Sequence, residues 1–279
     1  MAITIAVAMQ KGGVGKSTTA QAMANILGCV KHKKVLLIDL DSQANTTYAS
    51  GIDNPEKTIT DVLGEECSAQ TAVIQCKYYD LLAADKYLTN VEQSLVDTPD
   101  LKGLKDKLEN AGVFLIDMLL LKNVLIPLQE QYDYIVIDTP PALGNLSYMA
   151  MTAADYVLIP AEPSVYGLTG LGDIHNTILA IQNGSNPRLK TIGILLVKYN
   201  RRTLLSRDVR DMIDDYSQQM NTSIFNSTIR ESIAVREAQM VRKPLLDYAS
   251  SNNANIDYKG FVTELVQRIE TDRRQGRNG

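Results

Sequence analysis

The 279-residue sequence predicts an α/β fold, in which a mainly parallel, twisted sheet of about seven strands carries helices on both faces. Short apolar runs alternate along the chain with longer segments of helical periodicity. Several of these runs are apolar at successive positions, which is typical of strands that are covered on both faces. With 45% hydrophobic residues, the chain can bury a substantial core around such a sheet.

The order of the elements follows from these runs. The first crossover helix is predicted at Ser17–Leu27, and Gly28 is predicted to end it, because glycine accommodates the left-handed backbone found at many helix ends. Charged helical patterns occur around Leu101–Leu108 and Phe114–Leu125. The predicted strands are Ile3–Met9, Val35–Ile38, Tyr79–Ala83, Tyr134–Ile137, Tyr156–Ile159, Ile192–Val197 and, with a weaker pattern, Ser223–Ile229.

Composition excludes several classes of protein. No run of 18 uncharged apolar residues is present, so no transmembrane helix is expected. The N-terminus enters a strand-like segment without a preceding basic region, which argues against a signal peptide. Cys29, Cys67 and Cys76 lack CxxC spacing, so we interpret them as reduced packing thiols of a cytoplasmic protein.

Charge is distributed unevenly along the chain. Residues 1–187 contain 12 Lys, no Arg and 21 acidic residues, a net charge of −9, whereas residues 188–279 contain 4 Lys, 12 Arg and 11 acidic residues, a net charge of +5. Arginine is well suited to planar, bidentate contacts with phosphate. The asymmetry therefore indicates an anionic partner for the last third of the chain.

A glycine-rich loop follows the first predicted strand, with the sequence Lys11-Gly12-Gly13-Val14-Gly15-Lys16-Ser17-Thr18. Its glycines allow backbone N–H groups to turn toward phosphate, and the helix that follows adds its positive end. Lys16 would supply charge to the β- and γ-phosphates, and the Ser17 hydroxyl would hold Mg²⁺. A merely flexible turn does not explain Gly-Lys-Ser at a strand-to-helix junction. The loop therefore predicts binding of a nucleoside triphosphate together with Mg²⁺.

Carboxylates follow two other predicted strands. Asp39-Leu40-Asp41 ends the second strand, and Asp138-Thr139-Pro140-Pro141 follows Tyr134–Ile137. Ligands of open α/β sheets collect at the carboxyl ends of the strands, so Asp138 is predicted to order Mg²⁺, through water. Taken alone, Asp39 and Asp41 could instead be helix caps.

The loop Lys11–Ser17 resembles the deviant Walker A motif of the ParA/MinD superfamily, and the chain as a whole resembles ParA/Soj-type partition ATPases. The resemblance implies that Lys11 reaches across a nucleotide-sandwich homodimer to the partner's ATP, much as an arginine finger does. Residues 39–45 resemble the family segment D-x-D-x-Q-x-N. There Asp41 positions or activates the attacking water, and Asp39 lies near Mg²⁺ or the loop.

Further segments resemble the same family. Ile159–Leu171 is similar to the segment at the dimer face, which implies that Glu162 contacts the nucleotide ribose or the opposite subunit. Lys198–Thr203 and Ile229-Arg230 are similar to loops that flank adenine. The resemblance therefore adds Glu162, Lys198 and Arg230 to the nucleotide-binding residues.

The predicted DNA-binding residues are arginines. Arg202 lies where relatives carry a DNA-contacting arginine in the pattern Y-x-x-R-T, with Arg201 beside it. The relatives' second arginine, in R-x-x-E-A, falls near Ala234. The candidates to replace this second arginine are Arg230, Arg236 and Arg242, and the sequence does not distinguish among them. The alternative is an ordinary solvated surface, since Asp208, Asp211, Asp214 and Asp215 are interspersed.

The resemblance implies one P-loop ATPase domain over residues 1–279, without an N-terminal helix-turn-helix domain. The polar tail 272–279 is expected to be flexible. The expected function is Mg²⁺-dependent ATP hydrolysis coupled to homodimerisation and non-specific binding of double-stranded DNA, in the partitioning of a plasmid, chromosome or mobile element. A ParB-like centromere-binding partner would stimulate hydrolysis, and the protein would be cytoplasmic and nucleoid-associated.

Other functions remain open. They are a MinD-like membrane-associated positioning ATPase, a ParA-like ATPase that positions a protein cargo, and a metabolic or reductase member of the superfamily. Membrane targeting needs a C-terminal amphipathic helix with bulky apolar residues and a basic face. No apolar side chain follows Ile269, so a membrane partner is not expected.

Overall fold

The computed structural model describes residues 1–94 and 111–278. Its described strands form one seven-stranded sheet in the order β3-β4-β2-β5-β1-β6-β7. All neighbours are parallel except β3 and β4, which are antiparallel. The predicted fold class is therefore confirmed. The strands are β1 (Ile3–Val7), β2 (Val35–Asp39), β3 (Val73–Gln75), β4 (Asp80–Leu82), β5 (Tyr134–Asp138), β6 (Tyr156–Ala161) and β7 (Lys190–Leu196).

Helices connect these strands and cover both faces of the sheet. A 3₁₀ turn at Ile126–Leu128 continues one of them. None of the described helices is both long enough and apolar enough to cross a lipid bilayer. The helices are α1 (Lys16–Cys29), α2 (Asn45–Ala49), α3 (Ile59–Leu63), α4 (Ala69–Ala72), α5 (Leu88–Ser94), α6 (Ala111–Leu125), α7 (Asn145–Ala153), α8 (Val165–Asn183), α9 (Leu204–Gln219), α10 (Ile233–Met240), α11 (Leu245–Tyr248) and α12 (Asn253–Asn278).

The core has two apolar layers, one on each side of the sheet. Ile5 and Val7 of β1 pack with α1 and α12 in one layer. Ala6, on the opposite side of the same strand, packs in a second layer with α6, α7, α8 and α9. Successive strand residues face opposite sides of the sheet, and helices cover both sides. Every residue of β2 and β5 is therefore buried. This double cover explains the continuous apolar runs in the sequence.

The first helix does not stop at Gly28, so that prediction is wrong. α1 continues to Cys29 and ends where the Val30 N–H donates to the Ile26 carbonyl at 2.9 Å. A Cβ placed on residue 28 would lie 1.8 Å from the carbonyl oxygen of Tyr78. Glycine is required there because the backbone of another segment approaches the helix, and not because the helix ends.

The seventh strand is also not the predicted one. Ser223–Ile229 forms no strand and makes two isolated parallel bridges, Ile194 to Ile224 and Val197 to Ile229. The seventh strand is β3, an antiparallel edge strand of three residues that are half-buried or exposed. A run this short has no recognisable periodicity, so the sequence did not predict it.

The remaining expectations on secondary structure concern the region after β4 and the C-terminus. Leu101–Leu108 lies outside the described residues, whereas Phe114–Leu125 falls within α6. The tail 272–279 is helical as far as Asn278. Asp272 anchors its start by accepting hydrogen bonds from the Tyr156 hydroxyl at 2.8 Å and the Lys190 ammonium at 2.7 Å. Flexibility of the tail stays a prediction.

Candidate functional site

The glycine-rich loop lies between β1 and α1, at the carboxyl end of the central strand. Gly13 has φ +74° and Gly15, the N-cap of α1, has φ +80°. These left-handed conformations favour glycine at both positions, although a Cβ at either would meet no atom within 4 Å. The requirement is therefore one of backbone conformation. Loops of this kind, followed by a helix N-terminus, form concavities that bind anions.

Lys16 is held above this loop. It is 6% exposed, and its ammonium donates to the carbonyl of Lys11 at 2.9 Å. Burial lowers the pKa of Lys16, while the nearby charges of Asp138 and Asp41 act in the opposite direction. A buried ammonium with one neutral acceptor and two nearby carboxylates is well placed to bind a phosphate group.

Two buried carboxylates stand side by side at the ends of neighbouring strands. Asp39 of β2 pairs in register with Asp138 of β5, and both are fully buried. Asp39 accepts hydrogen bonds from the backbone N–H and the hydroxyl of Thr47, both at 2.8 Å. Asp138 accepts one from the Thr46 hydroxyl at 2.7 Å. Their positions are thus determined by strand register and by the two threonines at the start of α2.

These carboxylates suit a magnesium ion. Burial raises the pKa of both, and the charge of Asp39 raises that of Asp138 further, against hydrogen bonds from Ser17 and Thr46. Within the described residues, Oδ1 of Asp138 is buried and has no hydrogen-bond partner. Carboxylate and hydroxyl oxygens are the ligands Mg²⁺ prefers, and a cation would offset the repulsion between the carboxylates. Ser17, Asp39 and Asp138 therefore fit the ion as a donor set.

Asp41 differs from the other two carboxylates because it reaches the cavity. Its Oδ1 accepts a hydrogen bond from the backbone N–H of Gln43 at 3.0 Å, and its side chain lines the space beside the loop. Asp39 and Asp138 do not line that space. Asp41 is thus placed to contact a water molecule in the cavity.

The cavity has a volume of about 910 Å³, which is within the range of small-molecule sites. Gly12, Gly13 and the first turn of α1 form one wall, and Lys198, Arg230 and Arg236 form the opposite one. Val14 is buried in the core and does not line it.

Thr46, Gln239 and Tyr258 are among the cavity-lining residues that were not predicted as site residues. The Gln239 amide donates to the Thr18 hydroxyl at 3.1 Å, and the Tyr258 hydroxyl lies 3.2 Å from that of Thr19. Thr46 directly follows the Asp39–Asn45 segment, so its position in sequence was a usable signal. Gln239 is far from any motif and carried none.

Lys11 is directed away from its own cavity. Its ammonium forms a salt bridge with Glu162 at 3.1 Å, and Lys11 does not line the cavity. Lys198 pairs with the same carboxylate and also donates to the Gly13 carbonyl at 2.7 Å. Burial of Glu162 acts to raise its pKa, but the two lysines prevail and lower it. Glu162 thus links the glycine-rich loop to the Lys198 segment.

The five candidate DNA-binding arginines fall into two groups. Arg201 and Arg202 are exposed between β7 and α9 and form no salt bridge within the described residues. The other three are paired within the chain. Arg230 binds Asp257 with its side chain at 2.7 and 2.9 Å, Arg236 binds Glu231 at 3.1 Å, and Arg242 binds Asp53.

Ala234, near which the family resemblance places a second DNA-contacting arginine, is not on the surface. Ala234 is 8% exposed and lies on the inner side of α10. An arginine there could not present its guanidinium to a partner without a change in the packing of this helix. The substitution of alanine therefore matches the local burial.

Comparison with known proteins gives matches over almost the whole chain. A family model described as AAA domain matches residues 2–191. The chromosome partitioning protein ParA of Myxococcus xanthus is 32% identical over 268 residues, which cover 95% of this chain and 88% of the relative. The sporulation initiation inhibitor protein Soj of Bacillus subtilis is 32% identical over 269 residues, with coverages of 94% and 97%.

Solved structures give the same picture of the fold. Cobyrinic acid a,c-diamide synthase from Mycobacterium smegmatis, with bound ADP and magnesium, has a TM-score of 0.78 and 27% identity and covers 98% of this chain and 97% of its own. Apo McdA from Cyanothece has a TM-score of 0.78 and 26% identity, with coverages of 95% and 100%.

Proposed function

The chain belongs to the ParA/MinD-type P-loop ATPases, and we propose that within this family it is a partition protein in which ATP binding drives dimerisation and non-specific DNA binding. As an ATPase of this family, it hydrolyses ATP to ADP and phosphate. The sequence similarity to ParA and Soj over nearly the full length supports the partition role. ATP and Mg²⁺ are the cofactors, in keeping with the related structure that holds an ATP analog and magnesium.

The residues in and around the cavity have separate roles in hydrolysis: phosphate binding, metal binding and orientation of the attacking water. The backbone N–H groups of the loop and the Lys16 ammonium bind the phosphates, and Ser17, Asp39 and Asp138 would hold the metal ion. Bound Mg²⁺ supplies positive charge that offsets the charge of the phosphates. Asp41 orients the attacking water, because its side chain lines the cavity beside the loop, whereas Asp39 and Asp138 do not reach it. Lys198 and Arg230 line the opposite wall, where the base and ribose of the nucleotide would lie.

Lys11 completes the site of a second subunit. The observation that carries the proposal is the position of Lys11. Its ammonium pairs with Glu162 at 3.1 Å, and of the two lysines of the loop only Lys16 lines the cavity of the same subunit. A lysine in this place can exchange Glu162 for the phosphates of a facing subunit. Each site would then be complete only in the dimer, as with an arginine finger supplied in trans.

Dimerisation would switch DNA binding on. Arg201 and Arg202 are exposed and without salt bridges in the described part of the chain, so they take the first role in phosphate binding. Arg230, Arg236 and Arg242 can contribute if they exchange their present carboxylate partners for DNA. Two linked patches bind more tightly than one through their effective concentration. A ParB-like partner would stimulate hydrolysis and so release DNA.

Sedimentation of the full chain with ATP and Mg²⁺ tests the dimer. The expected result is an ATP-dependent dimer for the natural sequence and a monomer for Lys11→Ala that still binds ATP. Lys33→Ala, which removes an exposed lysine outside the cavity, is the matched control and should dimerise normally. A Lys11→Ala protein that dimerises like the control contradicts the shared site.

A further inference from the structure

A second cavity of about 420 Å³ lies directly beside the nucleotide cavity. It is enclosed by α1, the end of α2, the β3–β4 turn and the residues that follow α10. Gln21 and Ala49 line both cavities and therefore form the partition between them. The proposed ATPase mechanism uses none of the groups that are specific to this second space.

The second cavity contains a buried acceptor with no partner. Asn25 is 3% exposed and lines the cavity. Its amide nitrogen donates to the Gln21 carbonyl at 2.9 Å, but Oδ1 has no hydrogen-bond partner among the described residues. An unsatisfied buried oxygen is unfavourable, so this position calls for a hydrogen-bond donor from a ligand.

Hydroxyl groups beside Asn25 extend the polar surface. The Ser50 hydroxyl donates to the Thr46 carbonyl at 2.7 Å, so the Tyr79 hydroxyl, 2.7 Å away, donates to Ser50. The oxygen of Tyr79 accepts a long hydrogen bond of 3.5 Å from the Gln21 amide, which a ligand hydroxyl can replace. Together with Asn25, it favours a ligand that bears hydroxyl groups of its own.

Cations line the same cavity. Lys77 pairs with Asp247 at 2.8 Å, and Arg242 pairs with Asp53 and lies 3.8 Å from the centre of the Tyr48 ring. Lys243 is exposed and forms no salt bridge within the described residues. Cys76 also lines the cavity, and burial raises the pKa of its thiol to about 11, so it is neutral and does not repel an anion. One end of the cavity thus suits negative charge.

We propose that this second cavity binds a small phosphorylated polyol, of the size of a sugar phosphate, with hydroxyl groups on Asn25 and Tyr79 and the phosphate on Lys243. The volume is adequate for such a molecule and is at the lower end of the range for ligand sites.

Calorimetric titration with ribose 5-phosphate tests this site. Because the glycine-rich loop also binds phosphate, the titration uses the full chain carrying Lys16→Ala, which weakens that competing site. In this background we expect saturable binding that Lys243→Gln weakens by about tenfold or more, as the loss of a charge-assisted hydrogen bond predicts. Lys57→Gln, an exposed lysine that does not line the cavity, should leave the affinity within about twofold.

Two further arms separate the polyol from the phosphate. Neutral ribose should bind about tenfold more weakly than ribose 5-phosphate, because it lacks the charge that Lys243 recognises. Asn25→Leu should also weaken ribose 5-phosphate, with circular dichroism to show that the variant is folded. If Asn25→Leu does not fold, the Lys243→Gln variant tests the proposal instead, because the Lys243 side chain is exposed and its substitution leaves the core intact.

No binding of ribose 5-phosphate at about 10 mM, an affinity too weak for a specific site, overturns the proposal. Equal affinities of the Lys243→Gln and Lys57→Gln proteins also overturn it. Because the titration needs neither ATP hydrolysis nor DNA, its failure leaves the partition function untouched.

Discussion

The two walls of the nucleotide cavity are built on different principles. One wall stands on the ends of β1, β2 and β5, where the chemical groups are buried. Strand register and backbone conformation determine where they lie, as for Lys16 in this wall and for Asp39 and Asp138 behind it. On the opposite wall, Lys198, Arg230 and Arg236 are long, exposed side chains, each bound to a carboxylate of another residue. The difference shows that a short motif can determine a buried site, whereas exposed cations depend on which partners fold next to them.

The largest expected difference between the walls is in ATP affinity. Lys16→Ala removes a buried, charge-assisted phosphate contact worth about 1.5–3 kcal/mol, so ATP affinity should fall by about 10- to 100-fold. Lys198→Ala, on the exposed wall, should lower it by less than about fivefold. Calorimetric titration with ATP and Mg²⁺ compares the two variants. Equal losses would break the distinction between the walls.

The close packing behind the buried wall can be tested at Gly28. A Cβ there would lie 1.8 Å from the Tyr78 carbonyl, so Gly28→Ala should destabilise the fold by about 1–3 kcal/mol. Helix propensity alone predicts the opposite sign, a gain of about 1 kcal/mol. Gly276→Ala, near the end of α12 with nothing within 4 Å of the new Cβ, is the matched control and should be unchanged or stabilised by up to about 1 kcal/mol. Urea unfolding measures both, and a stabilised Gly28→Ala protein would show that the backbone contact is not restrictive.

The pH dependence of stability distinguishes the buried carboxylates from the exposed ion pairs. The pKa of Asp138 is raised, so its contribution to stability is present at low pH and is lost as the pH rises from about 4 through the raised value. Without Mg²⁺, Asp138→Asn should therefore gain stability relative to the natural sequence between pH 5 and pH 8, by about 1 kcal/mol or more. For Arg236→Ala, which breaks an exposed ion pair, the free energy of unfolding should change with pH as it does for the natural sequence. Unfolding in urea at the two pH values tests this, and an unchanged difference for Asp138→Asn would contradict the raised pKa.

The sequence predicted the parts of the site that a short local motif defines. The loop Lys11–Thr18 and the strands ending in Asp39 and Asp138 are of this kind, because buried parallel strands leave a strong apolar pattern. Prediction failed where a distant segment decides the outcome. Glycine is required at position 28 because the backbone of Tyr78 lies against it. Strand β3 has only three residues, too few to show an alternation of apolar and polar side chains.

The arginines show the same limit for the candidate site. Their clustering in the last third of the chain was visible in the sequence, but the partners of Arg230 and Arg242 were not. Asp53 is 189 positions from Arg242, and Asp257 is 27 positions from Arg230. No local pattern connects residues so far apart.

The most direct test of the account is binding to a random-sequence DNA duplex with ATP, with ADP and without nucleotide, over a series of salt concentrations. Asp41→Ala holds the ATP state, and Arg202→Ala is compared with Arg242→Ala, whose guanidinium is already bound to Asp53. The account predicts binding only with ATP, an affinity that falls linearly with salt on logarithmic axes, and a larger loss for Arg202→Ala. Equal binding in all three nucleotide states, or none in any, would contradict the coupling of ATP to DNA.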